Sequence, residues 1–123
     1  MLARSAAPSE LQAHALELLS ALGPARARRM FGGAGFYIGD HFVALLADEV
    51  LYLKADATAQ PAFEAAGSQP FTFATKHGRR VVMGYWSAPD AAMESPAQMR
   101  PWAALALDCA LRAAAGKGRK PGS

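Results

Sequence analysis

The sequence has little with which to build a disulfide-stapled or membrane-spanning protein. Cys109 is its single cysteine, so no internal disulfide can form and no oxidising compartment is implied. The longest uncharged run, residues 65–75, is eleven residues long, whereas a transmembrane helix needs about 20 apolar residues. No cationic segment followed by an apolar run marks a signal peptide near Met1. We therefore expect a cytoplasmic protein.

Residue types that form catalytic and metal sites are present but isolated. His14, His41 and His77 have no Cys, Asp or Glu at metal-ligand spacing. No serine has the setting of a nucleophile elbow, and Cys109 falls on the predicted inward face of a helix, where a thiol stays protonated. We expect no catalytic residue, no metal site and no cofactor, and thus a protein that is not an enzyme.

A glycine-rich segment, Gly32, Gly33 and Gly35, invites comparison with phosphate-binding loops. Those loops place their glycines at the N-terminus of a helix, where free backbone N–H groups hold the phosphate. Here a strand pattern follows, and no Gly-Lys-Ser/Thr sequence is present. We interpret these residues as structural glycines at a close backbone approach or bulge, where a valine at Gly33 or Gly35 destabilises by more than about 1 kcal/mol.

The centre of the chain, residues 28–56, predicts an antiparallel meander. Gly39 and Asp40 separate two apolar runs, and Asp48 and Glu49 separate the second run from a third. Two-residue links of this chemistry are typical of β-hairpins. A second hairpin is predicted where Lys76, His77 and Gly78 lie between alternating runs.

Helical patterns flank these strands. A leucine stripe predicts a helix over 9–22, and a stripe of small residues predicts another over 96–114, with Pro101 either kinking it or delaying its start to about Arg100. Residues 58–66 predict a short central helix. The fold class is therefore α+β, with a sheet of about five or six strands packed with these helices. We expect one domain over 9–114, a disordered N-terminus over 1–8 and a basic disordered tail over 115–123.

The strand from Phe42 to Leu46 has no polar residue, so both of its faces need cover. If helices cover one face, the other carries a patch that a second copy could bury. This patch is a possible interface, and we expect a homodimer through it. Its predicted members are Tyr37, Val43, Leu45 and Tyr52.

The net charge of +3 is unevenly distributed, with sums of +2 over residues 1–30, −3 over 31–111 and +4 over 112–123. The basic tail is interpreted first as a solubilising segment and second as a nucleic-acid contact. Five arginines are the possible phosphate contacts outside the tail: Arg26, Arg28, Arg29, Arg79 and Arg80. Because they are scattered, we expect weak or no nucleic-acid binding.

Several segments resemble the N-terminal domain of the TfoX (Sxy) family over roughly Leu11 to Ala113. They are the Met-Phe-Gly-Gly start at 30–33, the Leu-Tyr-Leu-Lys strand at 51–54, and Tyr85, Trp86 and Pro89. The resemblance implies a regulator of natural competence genes that works with the cyclic-AMP receptor protein at promoters and is not known as an enzyme. Only the basic tail follows Ala113, so we expect the family's second domain to be absent.

The resulting expectation is a non-enzymatic regulatory or protein-interaction domain. Its partner would be a protein, with a transcription factor of the cyclic-AMP receptor protein type as the candidate that the resemblance implies. A weak nucleic-acid-binding module and a small-molecule-binding domain remain the alternatives.

Overall fold

The computed structural model describes residues 2–30 and 33–119. Its helices and strands follow one another in the predicted order: a helix, a group of strands, a short helix, a hairpin and a last helix. This order confirms the α+β fold class. In chain order they are α1 (Leu2–Leu19), β1 (Ala25–Met30), β2 (Gly33–Ile38), β3 (His41–Ala47), β4 (Val50–Lys54), α2 (Gln60–Ala65), β5 (Pro70–Thr75), β6 (Gly78–Ser87) and α3 (Pro96–Arg119).

The six strands form one antiparallel sheet in the order β1-β2-β3-β4-β6-β5. The first four strands follow one another as a meander, and the two turns that the sequence predicted join β2 to β3 and β3 to β4. Gly39 has φ +61°, while Asp48 and Glu49 both have positive φ, 50° and 63°. Primed two-residue turns need such φ values, because their twist matches that of the strands they join.

One face of the sheet is covered by the helices. The α1 helix contacts β1 and β2, and α3 contacts β3 and β4. The fully buried side chains of this layer include Leu18, Phe36, Leu53, Phe63 and Met99. Alternate residues of each strand point to this side, so the core is a single layer between the sheet and the helices.

Small residues let α3 lie close to the sheet. Ala103, Ala106, Cys109 and Ala110 are all buried on its inner stripe. The helix begins at Pro96, where Ser95 Oγ accepts a hydrogen bond from the Gln98 N–H at 3.2 Å. Pro101 therefore lies inside the helix rather than delaying its start.

Two polar contacts join the N-terminal helical segment to the C-terminal part of the chain. His14 Nε2 lies 2.8 Å from the Met93 carbonyl oxygen, and Arg100 Nη1 donates to the Ala21 carbonyl at 2.9 Å. His14 is thus a half-buried histidine with a backbone partner. This contact gives His14 a structural role in joining α1 to the segment before α3.

The β3 strand contains a bulge, and because of it one residue of the predicted interface patch lies on the other face of the sheet. Phe36 pairs with Ala44 but Tyr37 pairs with Phe42, so Val43 is the extra residue. Val43 is completely buried in the core cluster, and its predicted place beside Leu45 is wrong. The bulge shifts the alternation, so that Phe42 instead lies on the same face as Leu45.

The structure also differs from the predictions at both ends of the chain. α1 begins at Leu2 rather than at Ser9, so residues 2–8, predicted as disordered, are helical. α3 continues to Arg119 rather than ending near Ala114, so the predicted disordered tail is helical over 115–119. Helix propensity does not explain either extension, because the first contains Pro8 and the second contains Gly116 and Gly118. The rest of the tail, 120–123, lies outside the described residues.

Two glycines of the glycine-rich segment occupy positions without room for a side chain. A Cβ atom on Gly33 would overlap the backbone carbonyl oxygen of Leu46. A Cβ atom on Gly35 would lie 2.5 Å from Phe42 Cε1 and 2.8 Å from Met30 Cε. Gly32 lies outside the described residues.

We expect Gly33→Val and Gly35→Val to lower the free energy of unfolding by about 1–3 kcal/mol, as overpacking does elsewhere. Gly33→Val should cost more, because its obstacle is a backbone carbonyl, whereas Met30 and Phe42 can rotate away from Gly35. Urea unfolding measures both values. Gly116→Ala is the matched control, since Gly116 has open space on α3 and alanine should add up to about 1 kcal/mol of helix stability. Unchanged midpoints in both valine variants would contradict this account.

Candidate functional site

The face of the sheet opposite the helices carries aromatic and cationic side chains. Here it is called the open face. Tyr37 on β2, Phe42 on β3 and Tyr52 and Lys54 on β4 alternate with the buried residues of their strands, and each is only partly buried. A strand that buries one face in a core usually places polar residues on the other. Aromatic rings in those positions are therefore the feature to explain.

Three of the rings form a continuous series across the sheet, here called the aromatic row: Tyr37, Phe42 and Tyr85. The Tyr37 and Phe42 centroids are 5.3 Å apart at 73°, and those of Phe42 and Tyr85 are 6.2 Å apart at 75°. Both pairs have the edge-to-face geometry that aromatic quadrupoles favour. Gly35 makes this packing possible, because a side chain there would collide with the Phe42 ring.

Cations lie over the rings of the aromatic row. The Arg26 guanidinium carbon is 4.4 Å from the Tyr37 centroid. Lys54 Nζ lies 5.9 Å from the Phe42 centroid and 5.7 Å from that of Tyr85. All three distances fall within the range of cation–π attraction. These contacts hold two positive charges at fixed positions on an otherwise apolar surface.

A second aromatic pair lies next to the row. The Tyr52 and Phe71 centroids are 4.6 Å apart at an interplanar angle of 43°. Leu45 pairs with Tyr52 across β3 and β4 and is also partly buried. This pair extends the apolar part of the open face toward the β5 edge of the sheet.

Tyr52 and Tyr85 on the open face are neutral at physiological pH. Burial raises the pKa of Tyr85, and burial together with the nearby Asp48 carboxylate raises the pKa of Tyr52. Since a free tyrosine already has a pKa of about 10, both phenols keep their protons. The charge of the row therefore comes from Arg26 and Lys54.

The five arginines predicted as possible phosphate contacts are divided between two parts of the sheet. Arg26, Arg28 and Arg29 are exposed on the edge strand β1, whereas Arg79 and Arg80 are exposed on β6. Four strand spacings separate β1 from β6, or about 19 Å. Arg79 Nη2 also donates to Thr72 Oγ1 at 2.8 Å. The five arginines therefore form two separate groups, one on β1 and one on β6.

A groove of about 390 Å³ opens at the end of β4, between β6 and the C-terminal half of α3. It adjoins the aromatic row, because Tyr85 belongs to both and Lys54, which lies over the Tyr85 ring, also lines the groove. Its lining residues are Lys54, Asp56, Gly84, Tyr85, Cys109, Arg112 and Ala113.

An ion pair organises this groove. Arg112 donates from Nε and Nη2 to the two carboxylate oxygens of Asp56, each at 2.9 Å. Asp56 Oδ1 also accepts from the backbone N–H groups of Thr58 and Ala59, both at 3.1 Å, in the turn that precedes α2. The hydrogen bonds from Arg112 hold the pKa of Asp56 well below its usual range.

Cys109 forms the inner wall of the groove. Its Sγ accepts a hydrogen bond from the Asp56 N–H at 3.3 Å, and Arg112 Nη2 lies 3.5 Å away. Burial raises the pKa of the thiol. Cys109 is therefore protonated at physiological pH, the state that its position on the helix predicted.

Several residues of this surface were not singled out from the sequence. Phe42 was assigned to the wrong face because a bulge leaves no signal in an all-apolar run. Lys54, Tyr85 and Arg112 had no signal of proximity at all, since Asp56 and Arg112 lie 56 positions apart. The apolar stretch at Tyr85 and Trp86 could have indicated that Tyr85 lies on one face of the sheet. It could not have indicated that Phe42 and Lys54 lie beside it.

The family model of the TfoX N-terminal domain matches residues 17–110, which include all six strands and most of α3. The chain belongs to the TfoX N-terminal domain family. The match confirms the resemblance deduced from the glycine-rich segment and the β4 strand. No curated protein matches this TfoX-like domain.

Two further findings concern residues 2–30 and 33–119. No three or more His, Cys, Asp and Glu side chains come together there in an arrangement able to hold a metal ion. In the same part of the chain, every helix is too short or too polar to cross a bilayer.

The Asp56–Arg112 pair predicts an acid-sensitive contribution to stability. The folded pKa of Asp56 is lower than its unfolded value, so the folded state binds fewer protons. The contribution is therefore complete above pH of about 4 and is lost as the pH falls below it. Asp56→Asn should keep the hydrogen bonds from the Thr58 and Ala59 N–H groups and lower the urea midpoint at pH 7, with a smaller loss at pH 3.

Glu17→Gln is the control, because Glu17 is exposed on α1 and should show no pH-dependent difference from wild type. An Asp56→Asn deficit of equal size at both pH values would contradict the role of the charge.

Proposed function

We propose that this TfoX-like domain is a non-enzymatic interaction module that binds an acidic surface of a regulatory protein through the open face of its sheet. The observation that carries the proposal is the aromatic row with Arg26 and Lys54 lying over its rings. Exposed aromatic and arginine side chains are the residue types that dominate binding energy in protein interfaces.

The charges of the open face favour an acidic partner. Arg26 and Arg28 are exposed at the β1 edge, and Lys54 lies at the far end of the row without an acidic side chain within 4.0 Å among the described residues. A partner that supplies carboxylates at these points would gain both charge pairing and faster association. The first partner to test is the one implied by the family, a transcription factor of the cyclic-AMP receptor protein type.

Single-stranded nucleic acid is the second candidate, because it too combines negative charge with planar groups that stack on aromatic side chains. The geometry supports it less well. The rings of the row meet edge to face, and the Tyr37 ring is already occupied by Arg26. The separation of the β1 and β6 arginines also leaves no continuous track for a phosphate backbone. We expect weak, sequence-independent binding at most.

The test measures binding of the purified transcription factor to immobilised domain at physiological salt. Arg26→Glu should weaken the complex by at least about tenfold, as charge reversal at a paired interface position does. Lys76→Glu makes the same charge change in the exposed β5–β6 turn and should leave the affinity within about twofold.

Labelled single-stranded and duplex DNA are titrated with the same variants. Equal loss in both variants, or no binding to the protein partner, would contradict the proposal. Nanomolar affinity for an oligonucleotide that Arg26→Glu abolishes would replace it with the nucleic-acid function.

A second copy of the chain is a further candidate occupant of the open face, favoured by the half-buried cluster of Leu45, Tyr52 and Phe71. Symmetric pairing would bury this cluster against itself. If it forms, light scattering coupled to gel filtration should give twice the monomer mass, and Leu45→Lys should be a folded monomer. A monomeric wild type at high protein concentration would contradict the homodimer.

A further inference from the structure

We propose that the groove at the end of β4 binds a small carboxylate with an apolar body. The proposal concerns a different ligand from that of the open face, although Lys54 and Tyr85 belong to both surfaces. It starts from the charges of Lys54, Asp56 and Arg112, which all line the groove.

These three side chains leave the groove with one excess positive charge. The carboxylate of Asp56 is saturated, since Oδ2 accepts from Arg112 Nε while Oδ1 accepts from Arg112 Nη2 and two backbone N–H groups. Its negative charge is thus matched by Arg112. Lys54 has no acidic side chain within 4.0 Å of Nζ among the described residues. A ligand with a single negative charge would neutralise the groove.

Hydrogen-bond donors are available to receive that charge. Lys54 holds its ammonium group against the Phe42 and Tyr85 rings, which leaves its N–H groups free of carboxylate partners within the described part of the chain. Arg112 uses Nε and Nη2 on Asp56, while no bond from Nη1 occurs among the described residues. A carboxylate that accepts from ammonium and guanidinium donors forms charge-assisted hydrogen bonds of the stronger kind.

The remainder of the groove is apolar. Its surface is formed by the Tyr85 ring, the protonated Cys109 thiol, the Ala113 methyl group and the backbone of Gly84. Gly84 has φ +92° and open space where a side chain would lie, so the bulged segment of β6 leaves room rather than filling it. A volume of about 390 Å³ lies at the lower end of small-molecule sites. It suits a body of one or two rings.

The chemistry selects a monocarboxylate over inorganic phosphate. Phosphate is mostly doubly charged at neutral pH and has no apolar surface to bury, so it would satisfy Lys54 while leaving the apolar wall exposed. A neutral aromatic compound would bury that wall but leave Lys54 unpaired. Only an amphipathic anion meets both requirements.

The probe for this site is 2-naphthoate, titrated into the full chain and followed by amide chemical shifts. We expect one saturable site, with shifts concentrated at Asp56, Gly84, Tyr85 and Arg112. The neutral isostere 2-naphthamide should bind at least about tenfold more weakly, because it lacks the charge that strengthens the hydrogen bonds. Inorganic phosphate should shift the same amides only at far higher concentration.

Two pairs of variants test the assignment. Lys54→Met should weaken naphthoate binding about tenfold without changing naphthamide binding, whereas Lys76→Met in the β5–β6 turn should change neither. Ala113→Trp should fill the groove and abolish the shifts, whereas Ala114→Trp, one exposed position further along α3, should leave them intact. Because Ala113 is itself exposed, the tryptophan there does not enter the core.

The site is overturned if naphthamide binds as tightly as naphthoate, if Lys54→Met binds naphthoate like wild type, or if the shifts map outside the groove. The acidic protein partner is tested separately by Arg26→Glu, because Arg26 does not line the groove. Failure of one proposal is therefore distinguishable from failure of the other.

Discussion

The arrangement of both faces of the sheet depends on one extra residue in β3. Val43 is inserted between Phe42 and Ala44 where β2 has no matching position, and its side chain is buried with the helices. The alternation of the strand is reset there. Ala44 and Leu46 can then join the core while Phe42 and Leu45 lie on the open face. Without the bulge, Phe42 and Leu45 would point to opposite sides, and the aromatic row would lose its middle ring.

Glycine and alanine make the arrangement sterically possible on both sides. Gly35 leaves space for the Phe42 ring above β2, and the alanines of α3 let the helix approach β3 and β4 closely. Interiors are packed so densely that one added carbon atom is felt. Gly33 and Gly35 therefore serve close packing, and they belong to the strand β2 rather than to the start of a helix.

The open face and the groove are connected through Lys54 and Tyr85. Lys54 is held by two rings rather than by a carboxylate, while the nearby Arg112 is neutralised by Asp56. The neighbours of Lys54 and Arg112 therefore give these two cations different roles. The ion pair ties the end of β4 to α3 and shapes a cavity, whereas the lysine keeps a charge available at the meeting point of two surfaces. A ligand in the groove would lie directly beside the end of the aromatic row.

Local patterns in the sequence were sufficient for the α+β class, the meander, the second hairpin and the buried stripe of α3, because turn chemistry and hydrophobic period act over a few residues. Helix ends were predicted less well, since α1 extends back to Leu2 through Pro8 and α3 extends to Arg119 through Gly116 and Gly118, which are poor helix formers. Only the tertiary structure decided that Val43 is buried, that the arginines form two groups and that Asp56 meets Arg112. Bulges and long-range pairs leave no periodic signal, because they are chosen by packing between segments far apart in the chain.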